Sequence, residues 1–208
     1  CCVEYSKKSW KEILDNGVYR SYLKFAGNFA SCPHLQDLFA VYYFRKENLI
    51  PEDAVFIPGH SGDMLAGSHL TEKFLENEHV CQDWVIQRIM EKHYPYFNSG
   101  VNSSKTLSEI ILLNLQKNNT YTMEEAASEF EYFDMIERQA KFICNSVRVY
   151  EYFGYEWRMP LWDNRLLEFW SQIPVDLRFK RNLYFYCTGK EDLPSTNDIA
   201  IKKQVAGF

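Results

Sequence analysis

The sequence predicts a truncated α/β unit, predominantly α-helical with one clear strand, and three observations carry that expectation. Apolar residues recur at three- and four-residue spacing through most of the chain. A single short apolar run, Ala54-Val55-Phe56-Ile57, is bounded by turn residues on both sides. Aromatic residues make up 16% of the 208 positions, enough ring area to fill a packed interior.

The elements follow in order. Residues 7–14 and 18–26 read as short helices parted by Asp15-Asn16-Gly17, a turn-prone stop. A longer helix is predicted over 33–48, with Pro33 tolerated in its first turn and Leu35, Leu38, Phe39, Tyr42 and Tyr43 on one face. Pro51-Glu52-Asp53 turns the chain into the run 54–57, which Pro58-Gly59 ends, the pattern of a fully buried strand. One strand forms no sheet alone, so its partners are expected from sequence outside these residues. Helices are then predicted over 63–75, 80–93 and 105–118. The longest, 123–153, starts at a capping-box pair, Thr122 and Glu125, and carries an apolar stripe of Phe130, Phe133, Ile136, Ala140, Ile143, Val147 and Tyr150.

Composition narrows the function classes. A formal charge of −5 and no basic cluster argue against nucleic-acid binding through a general positive field. No run approaches the roughly 18 apolar residues of a membrane span, and the N-terminal residues lack a signal-peptide pattern, so the expected location is cytoplasmic. The six cysteines show neither CxxC pairs nor a disulfide framework, and most read as buried thiols. Cys1 is followed by Cys2-Val3-Glu4-Tyr5, which does not continue the motif of an N-terminal cysteine nucleophile.

Two segments carry candidate chemistry. In the first, the strand at 54–57 runs into Gly59-His60-Ser61-Gly62-Asp63, a small-residue loop ending at an acid that opens a helix. Small residues let a ligand approach the backbone, helix-start amides favour anions, and a carboxylate can hold magnesium. The bland alternative is a strand-to-helix turn with Asp63 as N-cap. A zinc set of His60, Asp63 and His69 is a further, weaker alternative. In the second, Arg138, Gln139, Lys141, Asn145 and Arg148 lie at spacings that place several on one polar face, or simply on a solvated one, ahead of Arg158-Met159-Pro160-Leu161-Trp162-Asp163.

With Gly67 added, the first loop resembles the GxGxDExxGG segment of asparagine synthase synthetase domains, and Arg158 to Asp163 resembles their RxPFLD segment. Ile173-Pro174-Val175-Asp176, with Lys180 and Leu183, resembles the stretch holding a lysine near the ATP phosphates. The resemblance spans roughly residues 30–187. It implies a truncated α/β fold of the adenine nucleotide alpha hydrolase-like (PP-loop) type, a single partial domain over 1–208. Residues 1–67 would then be the remainder of the nucleotide-binding part and 68–208 its helical C-terminal part. It also implies an ATP-dependent amidotransferase using ATP and Mg2+, with a small-molecule acceptor and a glutaminase domain or subunit supplying ammonia. Carried over by position, Asp63 is the metal ligand, and Gly59, Ser61, Gly62 and Asp63 bind the cofactor. Lys180 and His60 are the catalytic positions, and Asp163 is an orienting or capping acid.

Three departures qualify that picture. His60 stands where the family places a functional glutamate, and Met64 replaces another acid; both argue against an ordinary aspartate-to-asparagine enzyme. Nothing in these residues resembles the family's SGGxDS pyrophosphate loop, so the segment alone is expected to be inactive. A surface-sugar acid is one acceptor this arrangement suggests, and a catalytically silent helical interaction module is the alternative.

Overall fold

A computed structural model describes residues 3–96 and 101–189, with the backbone alone at 101–104. The helices α1 (Lys7–Asp15) and α2 (Val18–Ala26) form where expected, and Gly17, at φ +78°, makes the turn between them. The helix predicted from 33 begins only at Leu38 (α3, Leu38–Lys46). Upstream, the Asn28 side chain accepts from Ala30 and Ser31 amides, and Tyr22 Oη donates to the His34 carbonyl, so local side-chain bonds hold that stretch out of a helix.

The strand β1 (Val55–Phe56) differs most from expectation. It is not fully buried, since Val55 and Ile57 are 45% and 68% exposed. Nor does it lack a partner: it pairs in parallel with β4 (Glu156–Trp157), Val55 opposite Glu156 and Phe56 opposite Trp157. The inward side chain, Phe56, stacks on Tyr150 with ring centroids 4.2 Å apart, and this contact anchors the strand.

After β1 the predicted 63–75 helix shrinks to one turn, α4 (Gly62–Leu65), followed by a 3-10 turn at Glu72–Leu75. Gly67 ends it at φ +77°. Next come β2 (His79–Cys81), α5 (Gln82–His93), α6 (Val101–Leu112) and β3 (Thr120–Thr122), with β2 and β3 antiparallel. The capping box forms as the sequence predicts: Thr122 Oγ1 accepts from the Glu125 amide, and the Glu125 carboxylate accepts from the Thr122 amide.

The predicted 123–153 helix is helical throughout but not uniform. It comprises α7 (Met123–Phe133), a π-helical stretch (Asp134–Ile143), α8 (Cys144–Ser146) and α9 (Arg148–Tyr152). The wider π turns shift the phase of the stripe, so Gln139 is fully buried while Ala140 faces solvent. A solvated polar face at 138–148 is therefore wrong for two of its members, because Gln139 and Asn145 both point inward. The chain ends through β4, a 3-10 turn at Pro160–Trp162, α10 (Asn164–Ser171), α11 (Val175–Arg178) and α12 (Asn182–Cys187).

Two main clusters of buried side chains hold these elements. One joins α1–α3 to α9, through Ile13, Tyr22, Leu38, Val41, Val147 and Val149. The other joins α5, α6 and α7, through Val85, Ile89, Ile111, Phe130 and Phe133. Beside the second cluster, Arg178 of α11 and Glu131 of α7 form a buried ion pair, and Arg178 Nε also donates to the Ile173 carbonyl at 2.7 Å. Burial pushes the Glu131 carboxyl up even with Arg178 beside it.

Expected burial of most thiols fails for every described cysteine. Cys32, Cys81 and Cys187 are exposed, Cys144 is half-buried, and Cys1 and Cys2 lie outside the described residues. Burial pushes the Cys144 thiol up to about 11 from 9.0, which leaves it about a hundredfold less thiolate near neutral pH. Iodoacetamide at pH 8, read by peptide mass spectrometry, should therefore modify Cys32, Cys81 and Cys187 well before Cys144; equal rates would contradict the packing around the α8 start.

Gly67 supplies a second test. A Cβ there would sit 2.4 Å from the Arg178 carbonyl oxygen, and the positive φ adds strain for any L side chain. Gly67→Ala should cost roughly 2 to 5 kcal/mol, readable in urea melts, because neither backbone segment can yield cheaply.

Candidate functional site

Because β1 and β4 are parallel, the chain leaves both at the same end. The 58–63 loop follows β1 and the 158–163 loop follows β4, and the Arg158 amide extends the ladder to the Phe56 carbonyl at 2.8 Å. A Cβ on Gly62 would lie 2.8 Å from Leu161 Cδ1, so the two loops touch here, and a larger residue would have to push the leucine methyl aside. An open groove of about 1000 Å³ lies beyond the strand ends, lined by Ile57, Arg158, Pro160, Trp162, Asp163 and Phe169. In α/β proteins the crevice outside the carboxyl ends of parallel strands is the usual ligand site.

Asp63 sits in α4 with its side chain 53% exposed. Its Oδ2 lies 3.2 Å from His69 Nε2, and the His69 hydrogen bond holds the carboxyl well below the usual range. His69 itself is buried, and its Nδ1 faces Asp134 Oδ2, also at 3.2 Å. An ionised carboxylate oxygen can only accept, so both His69 nitrogens carry hydrogen and the ring is an imidazolium. Burial opposes that charge, but the bonds to Asp134 and Asp63 outweigh it and raise the His69 pKa.

Asp134 is wholly buried at the start of the π stretch. Burial acts to raise its pKa, but His69 and Gln139 hold it low. Gln139 Nε2 donates to Asp134 Oδ2 at 2.8 Å, and Ser61 Oγ donates to Gln139 Oε1 at 3.0 Å. Residues five apart would lie about 140° apart around an α-helix, so the Asp134–Gln139 bond depends on the wider π turn. Ser61 holds a left-handed conformation, φ +68°, at the N-cap of α4. His93 Nε2 approaches Asp134 Oδ1 at 3.6 Å, and burial lowers the His93 pKa.

The other predicted site residues separate. His60 Nε2 meets Ser146 Oγ at 2.8 Å, and that hydroxyl gives its one proton to the Ile143 carbonyl at 2.5 Å. His60 Nε2 must therefore donate, which leaves Nδ1 as a bare acceptor, buried and unpartnered among the described residues. Burial lowers the His60 pKa and keeps the ring neutral at pH 7. Lys180 stands on a left-handed residue after α11, exposed, with Nζ 2.8 Å from Glu72 Oε1 and over the Phe179 ring. Asp163 caps α10, accepting from the Arg165 amide at 2.9 Å, the capping arrangement the sequence predicts. Gly59 stands in the loop with open space beside its Cα, and Met64 is buried.

The zinc alternative fails on orientation. His69 turns both nitrogens to carboxylates, His60 turns Nε2 to Ser146, and among the described residues no three His, Cys, Asp or Glu side chains are placed to share a metal. Sequence reasoning missed Asp134 and its pairing with His69. A buried acid in a helical stripe gives no signal of its own, although His69, seven residues after the α4 start, was visible.

Two loops meet beyond a parallel strand pair, the place where α/β proteins usually bind ligands, and the half-exposed Asp63 stands at the end of the first of them, outside the lining of the groove itself. The asparagine synthase family model matches residues 37–190, and the chain belongs to that family, whose members generally use ATP in amidotransferase-type chemistry. No curated protein and no solved structure matches the chain. Among the described residues no helix is long and apolar enough to cross a membrane.

The two histidines near the loop give a direct check. At pH 7, long-range 1H–15N spectra should show His69 protonated on both nitrogens and His60 on Nε2 alone. A neutral His69 would overturn the charge assignment.

Proposed function

We propose that this chain is the strand-end part of a PP-loop-type amidotransferase that activates an acceptor carboxylate with ATP. The observation that supports it best is the parallel β1–β4 pair, which sets the Gly59–Asp63 and Arg158–Asp163 loops side by side. In the reaction, an acceptor oxygen attacks the α-phosphorus and the bond to pyrophosphate breaks. Ammonia from a glutaminase domain or subunit then attacks the activated carbon, AMP leaves with the bonding pair, and the nitrogen loses a proton.

Each chain residue has a part. Asp63 fits magnesium: its carboxylate stays ionised and half open to solvent, and magnesium favours one or two hard oxygen ligands beside phosphates. Magnesium, when bound, would offset phosphate charge. Ser61, Gly59 and Gly62 shape the cradle. Arg138, whose buried Nη1 has no partner among the described residues, adds positive charge near Asp63. Lys180, in an exposed pair worth little energy, can exchange Glu72 for a phosphate. His60 contacts the acceptor or serves as base once its ring turns Nδ1 outward. The unpaired thiols and the ATP requirement suit a cytoplasmic setting, and a sugar acid remains our acceptor class.

A silent interaction module is favoured by one set of observations: buried Met64 at an acid position and His60 with both nitrogens turned inward. The natural full-length protein separates the readings. Asp63→Ala should abolish ATP–pyrophosphate exchange while the wild type supports it; exchange unchanged by the substitution removes Asp63 from the site, and no ATP binding by the wild type in calorimetry favours the module.

A further inference from the structure

Asp63 and Ser61, the charged and the strained residue of the loop, are both tied to one buried atom. From Asp134 Oδ2 one path runs through His69 to Asp63, and another runs through Gln139 to Ser61. The backbone from 61 to 63 closes the circuit. Asp134 and Gln139 are both fully buried and belong to the π stretch, whereas the loop lies on the far side of the ring.

We propose that Asp134 is the positioning residue of this site: the closed ring through His69 and Gln139 fixes both the Asp63 carboxylate and the left-handed Ser61 before any ligand arrives. An unanchored loop would sample many conformations, and binding would bear the cost of ordering them. The ring removes that cost by making the loop part of the helix beneath it. Its members are held from two directions, so loss of one link leaves the other acting on a single residue. His93 is the further group facing Asp134, through Oδ1, and Lys92 and Arg138 contribute charge nearby. The consequence for ligand binding rests on the functional reading above; the positioning itself does not.

Gln139→Met keeps side-chain length but can neither donate nor accept as the amide does, so it opens the ring without stranding a buried charge. Asp134→Asn removes the charge at the hub, and Ser61→Ala, which deletes only a buried hydroxyl, cuts the ring at its loop end should the two helix variants fail to fold. Amide hydrogen exchange over residues 59–68 should rise about tenfold in each folded variant, with α5 and α7 unchanged. ATP affinity measured with magnesium should fall about tenfold in each variant, and in Gln139→Met and Asp134→Asn, which lie outside the cradle, affinity without magnesium should stay within a factor of about two. Wild-type loop exchange in a folded Gln139→Met or Ser61→Ala protein overturns the ring's role. Faster exchange with undiminished magnesium–ATP affinity overturns its value to binding. A wild type that binds no nucleotide sinks the functional reading alone, since loop exchange still decides the ring.

Discussion

The charge on Asp134 is the constraint from which the site follows. A carboxylate removed from water loses several kcal/mol of hydration, and a protein keeps one ionised only by surrounding it with donors. Here the donors are His69 and Gln139, and each in turn commits a residue of the loop after β1. The geometry of the exposed acid is thus set by an acid that never meets solvent. The π stretch is part of the same arrangement, because it brings Gln139 round to a residue five positions earlier.

A second organising feature is the direction of two very short strands. Antiparallel pairing would have sent the 58–63 and 158–163 loops to opposite ends. Parallel pairing sends them to one end, and it is this that makes a hundred-residue separation in sequence irrelevant at the site. Membership in the asparagine synthase family accords with that placement, and the matched segment, 37–190, includes both loops and Lys180. The substitutions at 60 and 64 are accommodated by burial: the imidazole docks on Ser146, and the methionine packs into the interior where an ionised side chain would be costly.

How much of this could be read from the sequence depends on whether the signal was local. The Thr122–Glu125 capping box, the Gly17 turn and the order of the motifs were legible because each is fixed within a few residues. The β4 strand was not: two residues, Glu156 and Trp157, carry no periodicity, and only the tertiary approach of β1 makes them a strand. Nor was the phase slip at 134–143 legible, since the apolar stripe read well with Ala140 inward, and only the pull of Asp134 on Gln139 shows why the other residue won. The fully buried strand was mistaken for a similar reason: an apolar run says nothing about whether an edge is covered, and Val55 and Ile57 remain open.

The irregular middle of the long helix also separates two mechanical duties. Its first half, α7, is locked by Phe130 and Phe133 into one hydrophobic cluster; its last part is locked by Val147, Val149 and Tyr150 into another. Two halves of a rigid rod cannot choose their facings independently, and the looser winding between them lets each keep its own. Adding or removing one residue there would twist one half against the other by about 100°. Length in this stretch is therefore held as tightly as identity, and natural variation in it should take the form of substitutions rather than insertions or deletions.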